Sequence, residues 1–326
     1  IRGLVGSEMC IRDSNNPIYF ILISWSALIF GIVNHYINDN DYHFFWPLLA
    51  YFNLNKFLLY GAYAVVVFFT SFKINFIINK SVFFQRTNYA CGLIYTITII
   101  LICPIHQAVL PAIANLFAVL AIENLMKIYR NKSCKIEVFN AACWLLLSSI
   151  AYVYNAFLIP MVWVALYFIR PFEWREYVMP IVGFLFITAY LITAGLVFEK
   201  LPLWIENWWA IKDGYLNSDL ENWIYFLIVI SIGLLISFRT LYLSYISSSN
   251  RYKKVSWIII AFLFCCVVQF LFNYFSFGLN SPVLYGAVFP FSILISSTIL
   301  NAKSNWLPNS FIGISIIGYI IITYII

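Results

Sequence analysis

The sequence predicts an all-α membrane protein, a polytopic bundle of about eleven transmembrane helices with an amphipathic interfacial helix in its longest outer loop. Three observations predict it. Of 326 residues, 63% are hydrophobic and 10% charged, with mean hydropathy +0.89, whereas soluble domains carry roughly 25% charged residues. That excludes a water-soluble globule, a disordered chain and a nucleic-acid binder. Apolar runs of near-spanning length recur along the chain. Lys and Arg gather in alternate loops between those runs, and the lipid bilayer is therefore the first partner.

A hydrocarbon core about 30 Å thick takes roughly 20 residues per helix. The first run, 17–35, ends in the polar loop His35 to His43. The second, 57–74, ends in basic residues from Lys73. Runs 89–104 and 108–127 are parted by Pro104-Ile105-His106-Gln107, where Pro104 and Pro111 enforce a break. Runs 138–153 and 155–170 are parted by Tyr154-Asn155. Each of these close pairs reads as a tight hairpin or as one long broken element, which sets the count at nine to eleven. Run 177–198 carries Pro180 and Gly183 near its start, which predicts a bend there. Runs 223–243, 255–276, 281–300 and 306–326 complete the set, with Pro160 and Pro290 expected to bend their spans.

The basic residues set the orientation, because cytoplasmic loops collect Lys and Arg. Lys73, Lys80, Arg86, Lys127, Arg130, Lys132, Lys135, Arg170, Arg175, Arg239, Arg251, Lys253, Lys254 and Lys303 follow even-numbered runs. Lys56, Lys200 and Lys212 alone follow odd-numbered ones. Fourteen against three places the N-terminus in the cytoplasm. The acids Asp39, Asp41, Glu199, Glu206, Asp213, Asp219 and Glu221 make the outer face anionic.

Polar chemistry has few places to reside. In the outer loop from Glu199 to Asn222, Leu203, Trp204, Ile205, Trp208, Trp209 and Ile211 recur at helical spacing. Such a segment lies in the headgroup layer as an anchor, or as a lid over a lipid-facing cavity. The first outer loop offers Asp39 and Asp41, as general base or as ligands to a divalent metal near a phosphate. Both are also ordinary loop residues. Gln269 and Asn273 share one face of run 255–276, either as interhelical glue or as part of a solute path. Glu123 pairs with Lys127 four residues on. Arg170 to Tyr177 alternates charges with aromatics. Arg170 and Arg175 suit a phosphate, or else Arg170 snorkels and Glu173 neutralises Arg175. The cysteines lack zinc spacing, and three histidines (His35, His43, His106) make no metal cluster, so no metal site is assigned. No cofactor is identified, and GxGxxG, Walker, HExxH and GxSxG patterns are absent.

Three stretches carry a family likeness. They are Asn79-Lys80 through Arg86 to Ala90; Asn115-Leu116-Phe117 through Lys127 to Arg130; and Phe139 to Trp144 on to Trp174 through Gly183. Together they resemble an uncharacterised family of multi-spanning inner-membrane proteins of Bacteroidota. The resemblance implies a Gram-negative inner membrane and no established activity. Residues 4–14 instead resemble translated sequencing-adapter read-through. Residues 1–14 are therefore expected to be a non-native leader, and 15–326 a single polytopic domain.

Three functions fit these observations. An envelope-glycan glycosyltransferase or polymerase would use a lipid-linked donor, with Asp39 or Asp41 catalytic and the Trp204, Trp208, Trp209 segment over a polyprenyl groove. A transporter or flippase for an amphipathic solute would use Gln269 and Asn273. A non-catalytic subunit would anchor another envelope membrane protein.

Overall fold

A computed structural model describes residues 56–81, 89–102, 105–130, 133–197, 233–235, 237–246, 248–277 and 285–301, with Trp25, Phe83 and Glu199 singly. All regular structure among the described residues is helical. The helices are α1 (Lys56–Ser81), α2 (Ala90–Ile102), α3 (Ile105–Lys127), α4 (Lys135–Ala151), α5 (Met161–Ile169), α6 (Trp174–Val197), α7 (Asn250–Phe277) and α8 (Tyr285–Asn301). Two 3-10 turns, Ile128–Arg130 and Val153–Leu158, follow α3 and α4. A further helical stretch, Gly233–Ile246, precedes α7.

Among the described residues, four helices are long and apolar enough to cross a membrane: Gly61–Ser81, Val109–Lys127, Trp174–Val197 and Asn250–Asn273. The chain is thus a helical, membrane-embedded protein. The first and eleventh runs lie outside the described residues, except that Trp25 packs on Phe68 of α1 with ring centroids 5.0 Å apart.

Small side chains set the centre of the bundle. The largest helix interface joins α3 to α4, and both helices bury small side chains: Ala112, Ala114, Ala118 and Ala121 in α3, Ala141 and Ala142 in α4. Without large side chains between them, two backbones approach closely, which is how helices associate where lipid cancels the hydrophobic drive. Gly183 of α6 repeats the device against the other side of α4. A Cβ there would sit 3.0 Å from both Ala142 Cβ and the Phe139 carbonyl. Beyond that contact α6 is peripheral, with Leu185, Phe186 and Tyr190 exposed. α2 packs on α8 and α1, and α5 on α7.

Buried hydroxyls in α8 need no partner from another helix. Ser292, Ser296, Ser297 and Thr298 each donate to the carbonyl three residues back, which satisfies a hydroxyl inside an apolar layer.

Two sequence expectations shift. The sequence predicts a break before the fourth run across His106 and Gln107, yet α3 begins at Ile105 and runs through Pro111. A proline forfeits one backbone hydrogen bond, and α3 packs against both α1 and α4 along its length. In the second close pair, α4 leaves and α5 returns to one end of the bundle, because Cys134 and Arg170 both meet Glu176 there. The two segments form a splayed hairpin rather than one broken element.

Candidate functional site

Two polar regions stand out, one inside the bundle and one at its end. The inner one starts where α4 stops. Tyr152 adopts extended backbone (φ −147°, ψ 107°), a 3-10 turn spans Val153–Leu158, and Pro160 opens α5. Pro160 has no N–H to give a preceding carbonyl, so a continuous α-helix through this point is disfavoured. The break turns Asn155 inward, where it is 2% exposed among Ser148, Gln269 and Asn273, all at 0–1%.

These amides form a directed chain whose sense follows from one carbonyl. The Ala114 carbonyl only accepts, so the Ser148 hydroxyl donates to it, at 2.7 Å. Ser148 Oγ then accepts from Asn155 Nδ2 at 2.8 Å. That leaves Asn155 Oδ1 to accept from Gln269 Nε2 at 3.2 Å. The chain ends on Gln269 Oε1, which is buried and has no hydrogen-bond partner. This oxygen points at the start of α8, 3.8 Å from where a Cβ on Gly286 would stand. An unmet acceptor in an apolar interior costs about 1–3 kcal/mol, so the position favours any group that brings a donor. Asn273, one turn on, meets the Tyr154 hydroxyl.

A second cluster adjoins the first. Tyr63 and Tyr285 hydroxyls lie 3.1 Å apart. Asn115 Nδ2 donates to Tyr95 Oη at 2.9 Å and to the Tyr285 carbonyl at 3.2 Å. Ala114 and Asn115 are neighbours in sequence, as are Tyr285 and Gly286, so the two clusters make one neutral polar seam through the bundle. Amides, phenols and hydroxyls can hold hydroxyl or N–H groups. They supply no general base. Among the described residues, no three His, Cys, Asp or Glu side chains converge as a metal site requires.

The other region is the basic end. Arg170 Nη1 lies 3.0 Å from Glu176 Oε1, and the Cys134 backbone N–H donates to the same oxygen at 3.3 Å. Glu176 is 2% exposed, and removing one partner of a buried pair of this kind costs about 3–5 kcal/mol. Lys254 Nζ donates to the Ile169 carbonyl at 2.6 Å and lies over the Tyr129 ring. Arg251 donates to the Lys80 carbonyl. These contacts gather the last turns of α1, α3 and α5 with the first turns of α4, α6 and α7.

The residues singled out from the sequence divide accordingly. Gln269 and Asn273 belong to the inner seam. Arg170 and Arg175 belong to the basic end, where Arg175 is exposed beside the Trp174 ring. Lys254 marks that end, and Gln269 lies fifteen residues further along α7, about 22 Å away. The two pairs therefore do not form one site. Arg170, expected to snorkel or to suit a phosphate, pairs with Glu176. Asp39, Asp41, Trp204, Trp208 and Trp209 lie outside the described residues, as do His35 and His43. His106 falls in the first turn of α3, and its side chain is outside the described set.

Sequence reasoning missed Ser148, Asn155, Asn115 and the three tyrosines. The sequence places Asn155 at the parting of runs 138–153 and 155–170. The available signal was a lone amide five residues before a proline, beside an apolar run.

No protein-family model matches this chain, and neither a curated protein nor a solved structure gives a match.

Proposed function

We propose that the chain is a multi-pass protein of a bacterial inner membrane that carries an amphipathic solute, as a transporter or flippase. The supporting observation is the open carbonyl of Gln269 at the end of the Ser148–Asn155–Gln269 chain. Broken helices with polar linings at membrane depth are how carriers expose groups to a passing solute. The open end accepts a hydrogen bond, so the solute presents a hydroxyl or N–H to it. A glycerol or sugar headgroup has that chemistry. In this proposal about eleven spans cross the membrane, the basic end faces the cytoplasm, and the N-terminus lies on that side. The family likeness to Bacteroidota inner-membrane proteins agrees with that setting.

The test is lipid translocation by the purified full chain in vesicles. Fluorescent nitrobenzoxadiazole-labelled phosphatidylglycerol is quenched from outside by dithionite. Vesicles with the protein should lose more than the outer-leaflet half of the signal, and Gln269→Leu and Asn155→Leu should slow that loss at least about tenfold, the factor for one hydrogen bond of about 1.4 kcal/mol. Quenching equal to that of protein-free vesicles, or unchanged in both variants, contradicts the proposal.

A second reading, a glycosyltransferase or polymerase using a lipid-linked donor, keeps its support in the sequence alone, from Asp39, Asp41 and the Trp204–Trp209 segment. It requires loss of glycan assembly in Asp39→Ala/Asp41→Ala at normal protein levels, and full assembly would end it.

A further inference from the structure

Glu123 is held by two cations from two helices. Lys127 Nζ lies 2.9 Å from its Oε1, and Lys73 Nζ of α1 lies 3.5 Å from its Oε2. The sequence reading paired it with Lys127 alone. The cationic group extends further. Lys73 and Lys80 both stand over the Phe76 ring, 5.8 and 5.4 Å from its centroid, where the ring quadrupole attracts both ammonium groups. Two cations thus share one carboxylate, which leaves one positive charge in excess among these three groups, and Lys80 stands over the same ring as Lys73. Lys73 and Lys127 side chains keep 33% and 39% of their surface open.

The excess charge sits at the head of an apolar stripe. Val65, Phe69, Phe72 and Phe76 are exposed along one face of α1, and Lys80 continues the same helical spacing. From Val65 to Phe76 the stripe runs about 16 Å, comparable with an extended acyl chain. Lys127 ends α3, and Glu123 lies one turn before it, so the cations stand near the end of that span and the stripe descends from them. An occupant must be anionic at one end and apolar along its length. A soluble anion satisfies only the charges.

We propose that Lys73, Lys80 and Lys127 form a binding site for the headgroup phosphate of an anionic phospholipid, with an acyl chain lying along Val65, Phe69, Phe72 and Phe76. The site is independent of the seam around Gln269 and holds whether or not the bundle moves a solute. Glu123 fixes the two lysines and tempers their charge, so its removal strengthens the site instead of weakening it.

Native mass spectrometry of the full chain, released from micelles holding equal phosphatidylglycerol and phosphatidylcholine, reads the preference as a ratio of retained adducts. The wild type should favour phosphatidylglycerol. The neutral triple variant Lys73→Gln/Glu123→Gln/Lys127→Gln leaves no stranded charge, and should lower the ratio about fivefold for each net charge removed. Glu123→Gln alone should raise it by a similar factor. Excess inorganic phosphate should not displace the lipid. Each opposite result overturns the proposal: no preference in the wild type, an unchanged ratio in the triple variant, a lower ratio in Glu123→Gln, or displacement by phosphate. Should the triple variant fail to fold, the direction of change in Glu123→Gln decides alone.

Discussion

Cys134 stands just before α4, with its thiol buried and its backbone N–H given to Glu176. Burial first, and then the Glu176 carboxylate, push this thiol up to about 12, while Arg170 pulls the other way. The thiolate is the reactive form, so a raised value keeps Cys134 protonated at neutral pH. Maleimide at pH 7.5 is expected to leave the Cys134 peptide unlabelled in the folded protein and to label it in denaturing detergent, where a thiol returns to roughly 8.5. Labelling of the folded chain should climb with pH up to that value. Rapid labelling at neutral pH, read by peptide mass, counts against the burial described. Single residues also show how far sequence could go. Gln269 and Asn273 were legible because two amides four apart on an apolar helix have few places to face but inward. Glu176 was not legible as the partner of Arg170. Glu173 is nearer in sequence, and only the start of α6 at Trp174 brings Glu176 round to Arg170 and Cys134.

At the scale of elements, the apolar runs were legible and their edges were not. Pro111 looked like a boundary and lies inside α3, because tertiary packing outweighs one lost hydrogen bond. The start of α2 shows a contact that no periodicity reveals. Gly92 donates its backbone N–H to Asn75 Oδ1 at 2.8 Å, so α1 supplies a cap for a first-turn N–H that α2 cannot satisfy itself. The approach is close enough to need glycine: a Cβ there would clash with the Asn75 amide and stand 2.7 Å from the Ser71 carbonyl. Gly92→Ala should therefore destabilise the detergent-solubilised protein by about 1–3 kcal/mol. Gly61, in α1, has nothing within 4 Å of a Cβ, and Gly61→Ala should be neutral or stabilising by about 0.5–1 kcal/mol. Thermal unfolding in detergent measures both. Equal effects would mean that α1 and α2 do not approach as described.

For the molecule as a whole, charge distribution links sequence to architecture. Lys80, Lys127, Arg170, Arg175, Arg251 and Lys254 come from separate loops and helix ends, and contacts among their segments gather them at one end of the bundle. That common end was legible, because the alternation of basic loops requires it. The neutral seam was legible only at Gln269 and Asn273, because buried Ser, Asn and Tyr are too common in apolar helices to mark a site by composition. The proposed orientation puts the basic end of the membrane bundle in the cytoplasm, and labelling with a membrane-impermeant maleimide reads it. Arg175→Cys, at an exposed position, should be labelled only after spheroplasts are permeabilised, while Lys212→Cys should be labelled on intact ones. Labelling of Arg175→Cys from outside, with Lys212→Cys protected, would contradict it.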